Sequence, residues 1–246
     1  MKVRLIAHTT GAENTEYHGK TLDEIIVGIA RLSSGKEALE RFKEPHKLIR
    51  HCIINGHWSI FDQVNLTFEI ETSRAIGRQL IRHHSIHPQE FSQRYAEVQT
   101  FQDIELRKQS KNNRQSSTEV FDPEMTKGIY KNASDMISDL LDYINDCYKD
   151  LLDLNVSRET ARLISPECAT THLIMNGTMR SWITLLNVRL HKTTQKEFRL
   201  IAEAIRNVLI NKSMTVSKAL YNFDNAYEIP ILDRVILEKY KVYDKI

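Results

Sequence analysis

The chain has 246 residues, 34 of them basic and 32 acidic, for a formal net charge of +2. This length can bury the core of one large domain or of two closely packed small ones. The near balance of charge disfavours binding to a polyanion over a whole face, because nucleic-acid-binding domains usually carry a clear basic excess. Three widely spaced cysteines, Cys52, Cys147 and Cys168, favour neither a disulfide framework nor a cysteine-rich zinc site, and they suit a reducing cytoplasm. We also expect no membrane segment, since no stretch approaches the roughly 20 apolar residues of a spanning helix.

Hydrophobic periodicity in the first part of the chain predicts strands and helices in alternation. An alternating run over residues 1–9 predicts a first strand, and two helices follow, one over Leu22–Leu32 and one around residues 36–51. The alternation over residues 62–71 is the clearest strand pattern in the sequence. Few glycines and prolines interrupt these elements, and no internal repeat is visible.

The segment that follows contains many side chains that can bind a ligand or take part in a reaction. Ser73 is expected to cap a helix on which Gln79, Arg82 and His83 share one face, and Pro88 is expected to prevent the helix from continuing into the next loop. Guanidinium groups, imidazoles and a carboxylate at such a helix end suit a ligand with phosphate oxygens and a polar ring. The alternative interpretation is a solvated basic helix end, because basic residues gather at helix C-termini for dipole reasons alone.

The middle of the chain is predicted to form an exposed loop and a long helix. Residues 99–117 are polar and predict an exposed loop, which is a candidate for a lid. Asp122 and Pro123 predict the start of a long helix with a continuous apolar stripe, which suits a core or a subunit interface. A short helix from Ser157 to Ser165 and a strand over residues 171–175 complete this part.

The C-terminal half carries a second chemical cluster on a helix. Thr178 is a predicted cap for a helix that runs to about His191, and Arg180 and Thr184 share one of its faces. Arg189 lies at the end of a mostly apolar flank, where an arginine can also simply snorkel to the surface. Thr194 with Glu197 predicts a capping box for a further helix, whose apolar stripe, including Phe198, belongs to the core.

Several of these residues, in their order, resemble one known family. Arg82-His83, then Ser92, then Arg94-Tyr95 are similar to the signature of the flavin-dependent thymidylate synthases, in which Arg-His-Arg is followed after seven residues by Ser and then by Arg-Tyr. His84 departs from this pattern, because the family usually has arginine there. Further similar segments lie in the right order along the chain: His57, Ser59 and Phe61-Asp62; Ala161-Arg162 and Pro166; Arg180-Ser181; Asn187 and Arg189; Gln195 and Glu197.

The resemblance implies a fold and a reaction. The implied fold is α+β, a mixed sheet flanked by helices in a single domain over residues 1–246, assembled as a homotetramer whose active sites draw on more than one subunit. The implied reaction is reductive methylation of dUMP to dTMP, in which methylenetetrahydrofolate gives the carbon and FAD reduced by NADPH gives the hydride. No catalytic cysteine is required, so Cys168 is expected to be a small buried hydrophobe.

The resemblance also implies which residues bind the nucleotide. Arg189 would bind the uracil edge and favour loss of the ring imide proton, because a fixed cation stabilises an anion strongly in a dry site. Arg94 and Arg162 would hold the phosphate, and Glu90 would sit between nucleotide and flavin. The complete implied dUMP set is Gln79, Arg82, Glu90, Phe91, Ser92, Gln93, Arg94, Arg162 and Arg189.

The implied FAD site overlaps the nucleotide site. The implied set is Ser59, Arg82, His83, His84, Glu90, Thr178, Arg180 and Thr184, and His57 would stack on flavin or folate. Thr178 replaces a common asparagine and Thr193 a common histidine, so a different adenosine end and weaker flavin binding are expected.

Three alternatives remain open on the sequence. A related enzyme would leave a hydroxymethyl group on a deoxypyrimidine nucleotide. A metal hydrolase would use His83, His84, His87 and Glu90, although their spacing does not match His-Glu-x-x-His. A nucleic-acid-binding module would use Arg78, Arg82, Arg94 and the basic loop over residues 108–114, which near-neutral charge opposes.

Overall fold

A computed structural model of the protein describes residues 1–35, 37, 41–97 and 100–213. Within these ranges the chain divides into two compact units. The first comprises Met1, Glu71–Leu80 and Gln89–Leu173; the second comprises Lys2–Ile70, Ile81–Pro88 and the described residues from Ile174 onward. None of the described helices is both long enough and apolar enough to cross a membrane.

Helices and strands alternate along the chain, which confirms the predicted α+β class. The strands are β1 (Lys2–His8), β2 (Asn65–Ser73), β3 (Ile86–Glu90), β4 (Arg107–Gln109), β5 (Ser117–Val120) and β6 (Thr170–Thr178). The α-helices are α1 (Leu22–Leu32), α2 (Pro45–Ile54), α3 (Arg74–Leu80), α4 (Ala133–Asp153), α5 (Arg158–Ala161), α6 (Met179–Arg189) and α7 (Lys196–Lys212), with 3-10 turns at Trp58–Asp62 and Arg162–Ile164.

The main sheet has four described strands in the order β1-β2-β6-β3. The predicted strand around residues 62–71 is confirmed as β2, and its inward side chains Leu66, Phe68 and Ile70 are fully buried. Strands β4 and β5 form a separate antiparallel pair, with Arg107 opposite Val120 and Gln109 opposite Ser117. The polar stretch predicted as a loop therefore contains part of a small hairpin.

In the second unit, the core holds α6 and α7 in fixed positions. Trp182 of α6 is fully buried, its indole N–H donates to the carbonyl of Leu66 at 3.1 Å, and its ring packs against Phe68 at 4.8 Å. Thr178 caps α6 as predicted, because its hydroxyl accepts from the backbone N–H of Ser181 at 3.2 Å. This anchoring fixes the N-terminal half of α6, the helix that ends at Arg189.

In the first unit, β2 leads directly into α3, and α4 packs beside a small core. Tyr148, Ala161 and Ala169 are the buried residues of that core, and Phe101 and Leu151 pack against them. Among the described residues of α4, only Tyr148 is buried, while Leu140 is 52% and Tyr143 is 69% exposed. The predicted apolar stripe thus begins before α4, and on the helix it is only partly covered within one described chain.

The segment over residues 73–95 differs from the prediction. Helix α3 ends at Leu80, so Arg82 and His83 lie in a turn and do not share a helix face with Gln79. After that turn the chain forms strand β3 where a loop was expected, and this strand includes Pro88. Proline is compatible with this position because β3 lies at the edge of the described sheet, where a missing N–H costs no ladder bond.

Two helix starts were also predicted wrongly. Helix α4 begins ten residues after Pro123, at Ala133, because Gly128 has a φ of 92° and a bridge joins Glu124 to Asn132. Asp122 instead accepts a hydrogen bond from the backbone N–H of Ser134 at 3.0 Å.

Helix α7 begins at Lys196 with Gln195 as its cap. The Thr194 hydroxyl, predicted as the cap, donates to the carbonyl of Val188 at 3.2 Å. The predicted helix around residues 36–51 overlaps α2, which begins at Pro45, and four of its positions, 36 and 38–40, lie outside the described residues.

Candidate functional site

Arg189 in the second unit is a half-buried cation that contacts a histidine and an aromatic ring. Its Nε–H donates to Nε2 of His83 at 2.9 Å, and its guanidinium carbon lies 4.6 Å from the centre of the Phe198 ring. Within the part of the chain that the structure describes, no carboxylate pairs with Arg189. Burial, followed by the nearby charge of Arg82, lowers its pKa. A half-buried cation of this kind favours an anionic partner.

His83 acts as an acceptor in this contact. Because Arg189 can only donate, Nε2 of His83 carries no proton, and the neutral ring has its proton on Nδ1. Burial is the first cause that lowers the pKa of His83 to about 4, and the positive charges of Arg189 and His84 add to it. The imidazole also meets the Phe198 ring edge to face at 6.0 Å. His83 and Phe198 together fix the orientation of the guanidinium.

Arg82 and His84 flank His83 in the turn before β3. Both side chains are exposed, and neither has a carboxylate partner within the described ranges. The backbone N–H of Ile86 donates to the carbonyl of His83 at 2.9 Å, which closes the turn. The turn therefore presents basic side chains to solvent on either side of a half-buried histidine, an arrangement suited to phosphate oxygens.

The start of α6 gathers a second set of predicted residues. Arg180 pairs with Asp62 at 3.0 Å, and the Thr178 hydroxyl donates to the other oxygen of the same carboxylate at 3.3 Å. The Thr184 hydroxyl donates to the backbone carbonyl of Arg180 at 3.0 Å. Asp62 was recognised in the sequence only as part of a matching segment, and the structure shows that it organises this set.

Ser59 and His57 lie at the beginning of the 3-10 turn in the same unit. Both are exposed, and the His57 ring meets the ring of His51 edge to face at 5.9 Å. An exposed imidazole of this kind can offer a ring face to a planar ligand.

In the first unit, Glu90 ends β3 as an exposed residue whose carboxylate is held by a hydrogen bond. Its carboxylate accepts from the Thr171 hydroxyl at 2.6 Å, and the next residue, Phe91, donates its N–H to the carbonyl of His172 at 2.8 Å. A methyl group on Gly77 would lie 2.9 Å from the Thr171 side chain, so only glycine lets α3 approach this closely. The hydrogen bond from Thr171 thus fixes the direction of the Glu90 side chain. Gln79 lies on the same helix as Gly77.

Arg94 and Arg162 meet at one residue of the first unit. Arg94 pairs with the carboxylate of Glu159 at 3.2 Å, and Nε of Arg162 donates to the backbone carbonyl of the same residue at 3.4 Å. Arg94 and Glu159 are both 59% exposed. Since an exposed ion pair is worth only about 0–1 kcal/mol, an anion of higher charge can replace Glu159 at Arg94.

Sequence reasoning missed Arg74, which the structure connects to the same loop. Arg74 donates to the side-chain oxygen of Gln93 at 2.7 Å. No local sequence pattern identifies this contact, because the two residues are 19 positions apart and Arg74 belongs to none of the recognised motifs. Phe198 was correctly interpreted as core, but its packing against Arg189 was not predicted.

The geometry bears on two of the alternative functions. Within residues 1–35, 37, 41–97 and 100–213, no group of three or more His, Cys, Asp or Glu side chains is arranged to hold a metal ion, so the proposed hydrolase ligands do not converge. For nucleic-acid binding, Arg78 pairs with Glu167 at 2.9 Å and Lys108 with Glu119 at 3.4 Å. These pairs reduce the basic surface that such a module requires.

Comparison with known proteins gives a consistent result. The family profile described as thymidylate synthase complementing protein matches residues 5–213. A flavin-dependent thymidylate synthase from Synechocystis is 37% identical over 220 residues, which cover 89% of this chain and 99% of the relative. A probable flavin-dependent thymidylate synthase from Paramecium bursaria Chlorella virus 1 is 34% identical over 201 residues, 81% of this chain and 91% of the relative.

A solved structure shares the fold. The UMP/dUMP methylase PolB from Streptomyces cacaoi, bound with 5-Br dUMP, matches with a TM-score of 0.70 at 22% identity, over 89% of this chain and 94% of PolB. At this identity the likeness establishes a common fold.

Proposed function

The chain belongs to the thymidylate synthase complementing protein family, and from this membership we propose that it is a flavin-dependent thymidylate synthase that converts dUMP to dTMP. The resemblance seen in the sequence is confirmed at the level of the family. The observation that carries the proposal is Arg189, a half-buried cation held by His83 and Phe198 with no carboxylate partner in the described chain. Such a group is suited to stabilise an anionic pyrimidine.

Arg189 would activate the uracil ring electrostatically. Loss of the imide proton leaves a negative charge on the ring, and a guanidinium in a partly dry environment stabilises that charge far more than it would in water. His83 occupies Nε, so the two terminal nitrogens of Arg189 are left to donate to the ring oxygen and nitrogen. This activation requires no thiolate.

The residues present fit a flavin dinucleotide. Arg82 and His84 are exposed basic groups without a carboxylate partner in the described ranges, which suits a pyrophosphate. We propose that they hold FAD with His83, Ser59, Glu90, Thr178, Arg180 and Thr184, while His57 stacks on flavin or folate. FAD, reduced by NADPH, supplies the hydride, and methylenetetrahydrofolate supplies the carbon. Asp62 already binds both Arg180 and Thr178, so these two side chains are oriented before a ligand arrives.

The nucleotide phosphate would bind to the pair of arginines in the first unit. We propose that Arg94 and Arg162 hold it together with Ser92 and the backbone of Phe91 and Gln93, with Gln79, Arg82 and Glu90 as further nucleotide contacts. A phosphate presents more charge and more acceptor oxygens than the Glu159 carboxylate, so it competes well for Arg94.

The proposal also covers assembly and location. We propose a homotetramer with shared active sites, built from one domain per chain, and a cytoplasmic location. The free Cys52, Cys147 and Cys168 suit a reducing compartment. The partly exposed apolar surface of α4, which includes Leu140 and Tyr143, supplies a surface for subunit contact.

The test is the mass of the nucleotide formed when the protein is incubated anaerobically with dUMP, FAD, NADPH and methylenetetrahydrofolate. A product heavier than dUMP by one CH2 group supports the proposal. A product heavier by CH2O would replace it with hydroxymethyl transfer, and unreacted dUMP in the presence of bound flavin would refute it for this nucleotide. Omission of each co-substrate in turn serves as the control.

A further inference from the structure

Gln93 is the buried member of the loop that follows β3. Its neighbours Arg94 and Tyr95 are exposed, whereas Gln93 itself is only 5% exposed. The loop is tight, because the backbone N–H groups of Tyr95 and Ala96 both donate to the carbonyl of Ser92, at 3.0 and 3.2 Å. The Gln93 side chain is therefore an anchor for a short segment whose other side chains are exposed or half-buried.

Arg74 holds this anchor from the first turn of α3. Its Nη1 donates to the Gln93 side-chain oxygen at 2.7 Å, which assigns the amide orientation because a guanidinium can only donate. Arg74 is itself fixed, since its backbone N–H donates to the carbonyl of Ala169 at 2.9 Å and that of Ala75 to the carbonyl of Glu167 at 3.0 Å. The bond therefore joins the loop to a rigid part of the first unit.

Two further observations indicate that the bond has a role beyond stability. The guanidinium of this half-buried arginine has no carboxylate partner in the described part of the chain. It donates instead to a neutral amide. The Gln93 amide nitrogen is buried without a partner among the described residues, which is costly by about 1–3 kcal/mol in general. An arrangement that carries such a cost is retained where it holds functional neighbours in place.

We infer that Arg74 is a positioning residue for nucleotide binding. Through Gln93 it holds the loop over residues 91–95 so that Ser92 and Arg94 are preorganised for the phosphate of dUMP. The inference rests on the proposed function for the identity of the ligand, but the tether between Arg74 and the loop does not. Preorganisation lowers the ordering cost of binding, so loss of the tether weakens dUMP binding without touching the flavin contacts in the second unit.

The first measurement is hydrogen exchange of the holoenzyme without nucleotide. Arg74→Met and Gln93→Met each remove one partner of the bond while they keep an unbranched side chain of similar length. We expect exchange of the backbone amides over residues 91–95 to become about tenfold faster in both variants. Arg78→Met is the matched control, because Arg78 lies one turn later on α3 and makes only an exposed pair with Glu167.

The second measurement is the dissociation constant of dUMP by calorimetry. We expect an increase of about tenfold for each single variant and no further increase for the double variant, because both remove the same bond. The flavin absorbance spectrum and FAD affinity should remain those of the wild type. Arg74→Lys, which keeps a charge and a donor, should recover part of the affinity and covers the case in which Arg74→Met fails to fold.

The outcomes separate the inference from the proposed function. Unchanged hydrogen exchange in folded variants would overturn the tether, and faster exchange with an unchanged dUMP dissociation constant would overturn the positioning role. Additive effects in the double variant would show that Arg74 does not act through Gln93. If the wild type itself binds no dUMP, the proposed function fails, and the exchange data still decide whether the tether exists.

Discussion

The contact between Arg189 and His83 sets the protonation state of the histidine and the direction of the arginine. Nε2 of His83 must remain free of a proton to accept from Arg189, and burial together with two neighbouring positive charges keeps it so. In return, the histidine and the Phe198 ring hold the guanidinium without neutralising it. The charge of Arg189 therefore remains available for a substrate.

Removal of Arg189 should abolish most turnover without loss of flavin. We expect Arg189→Ala to lower kcat for dUMP methylation by about 10²–10³-fold, since one preorganised donor to a developing anion is usually worth that much. The flavin absorbance spectrum should not change. Arg50→Ala serves as the control, because Arg50 is exposed on α2. Turnover by Arg189→Ala equal to that of the control would contradict the role of Arg189.

The pH dependence of stability should report the low pKa of His83. The folded-state pKa is about 4, against an ordinary value of 6.5, so between these values the unfolded chain binds a proton that the folded protein does not. The stability that His83 contributes is therefore fully present above pH 6.5 and is lost as the pH falls towards 4. Urea unfolding should show a smaller loss over this window for His83→Gln than for the wild type. Parallel curves would show that the ring titrates normally.

At the level of elements, the start of α1 is fixed by local contacts. Thr21 accepts from the backbone N–H of Glu24 at 3.3 Å, and the Glu24 carboxylate accepts from the backbone N–H of Thr21 at 2.9 Å, which is a reciprocal capping box. The pKa of Glu24 is lowered, because these hydrogen bonds and Lys20 together outweigh the burial that raises it.

Loss of this cap should destabilise the protein measurably. We expect Thr21→Ala to lower the free energy of unfolding by about 1 kcal/mol, the usual value for an N-cap. Chemical denaturation followed by circular dichroism measures this change. Thr10→Ala, an exposed threonine outside any helix or strand, is the control, and an equal effect of the two substitutions would argue against the cap.

Elements were predicted from the sequence where periodicity and a local stop signal agree. Helix α1 has the predicted bounds, and β2 has the predicted alternation of buried and exposed side chains. The prediction failed over residues 81–90, because a run of polar residues with one proline looks like a loop until a neighbouring strand is known to accept it. The start of α4 was misplaced because Asp-Pro is a strong local signal, whereas the bridge that keeps residues 124–132 out of the helix is a tertiary contact.

The candidate site was predictable as a set of residue types but not as a set of contacts. The signature identified Arg82, His83 and Arg94 because their spacing is short and fixed. The hydrogen-bond partners of Arg189 and Gln93 lie 106 and 19 positions away, and no periodicity connects residues across such distances. Asp62 and Glu159 organise predicted arginines for the same reason: they come near only in the folded chain.

At the level of the whole molecule, α4 predicts assembly. Its exposed Leu140 and Tyr143 leave an apolar surface that one described chain does not cover. Light scattering should give four times the 28.7 kDa mass of one chain. Leu140→Glu should reduce that mass and also lower turnover, because the proposed active sites are shared between subunits. Leu32→Glu, an exposed leucine on α1, is the control; a monomeric wild type with full activity would refute the proposed assembly.

Strand β3 has a consequence for the behaviour of the protein in concentrated solution. It lies at an edge of the described sheet, and an edge strand offers its free backbone groups to any other extended chain. Pro88 removes one of the donors in the middle of this strand, and His87, Gln89 and Glu90 surround it with exposed polar side chains. Pairing of this strand with another molecule is therefore disfavoured, and so is the aggregation that would follow from it. The basic turn before β3 and the Glu90 carboxylate at its end can thus remain accessible to small molecules.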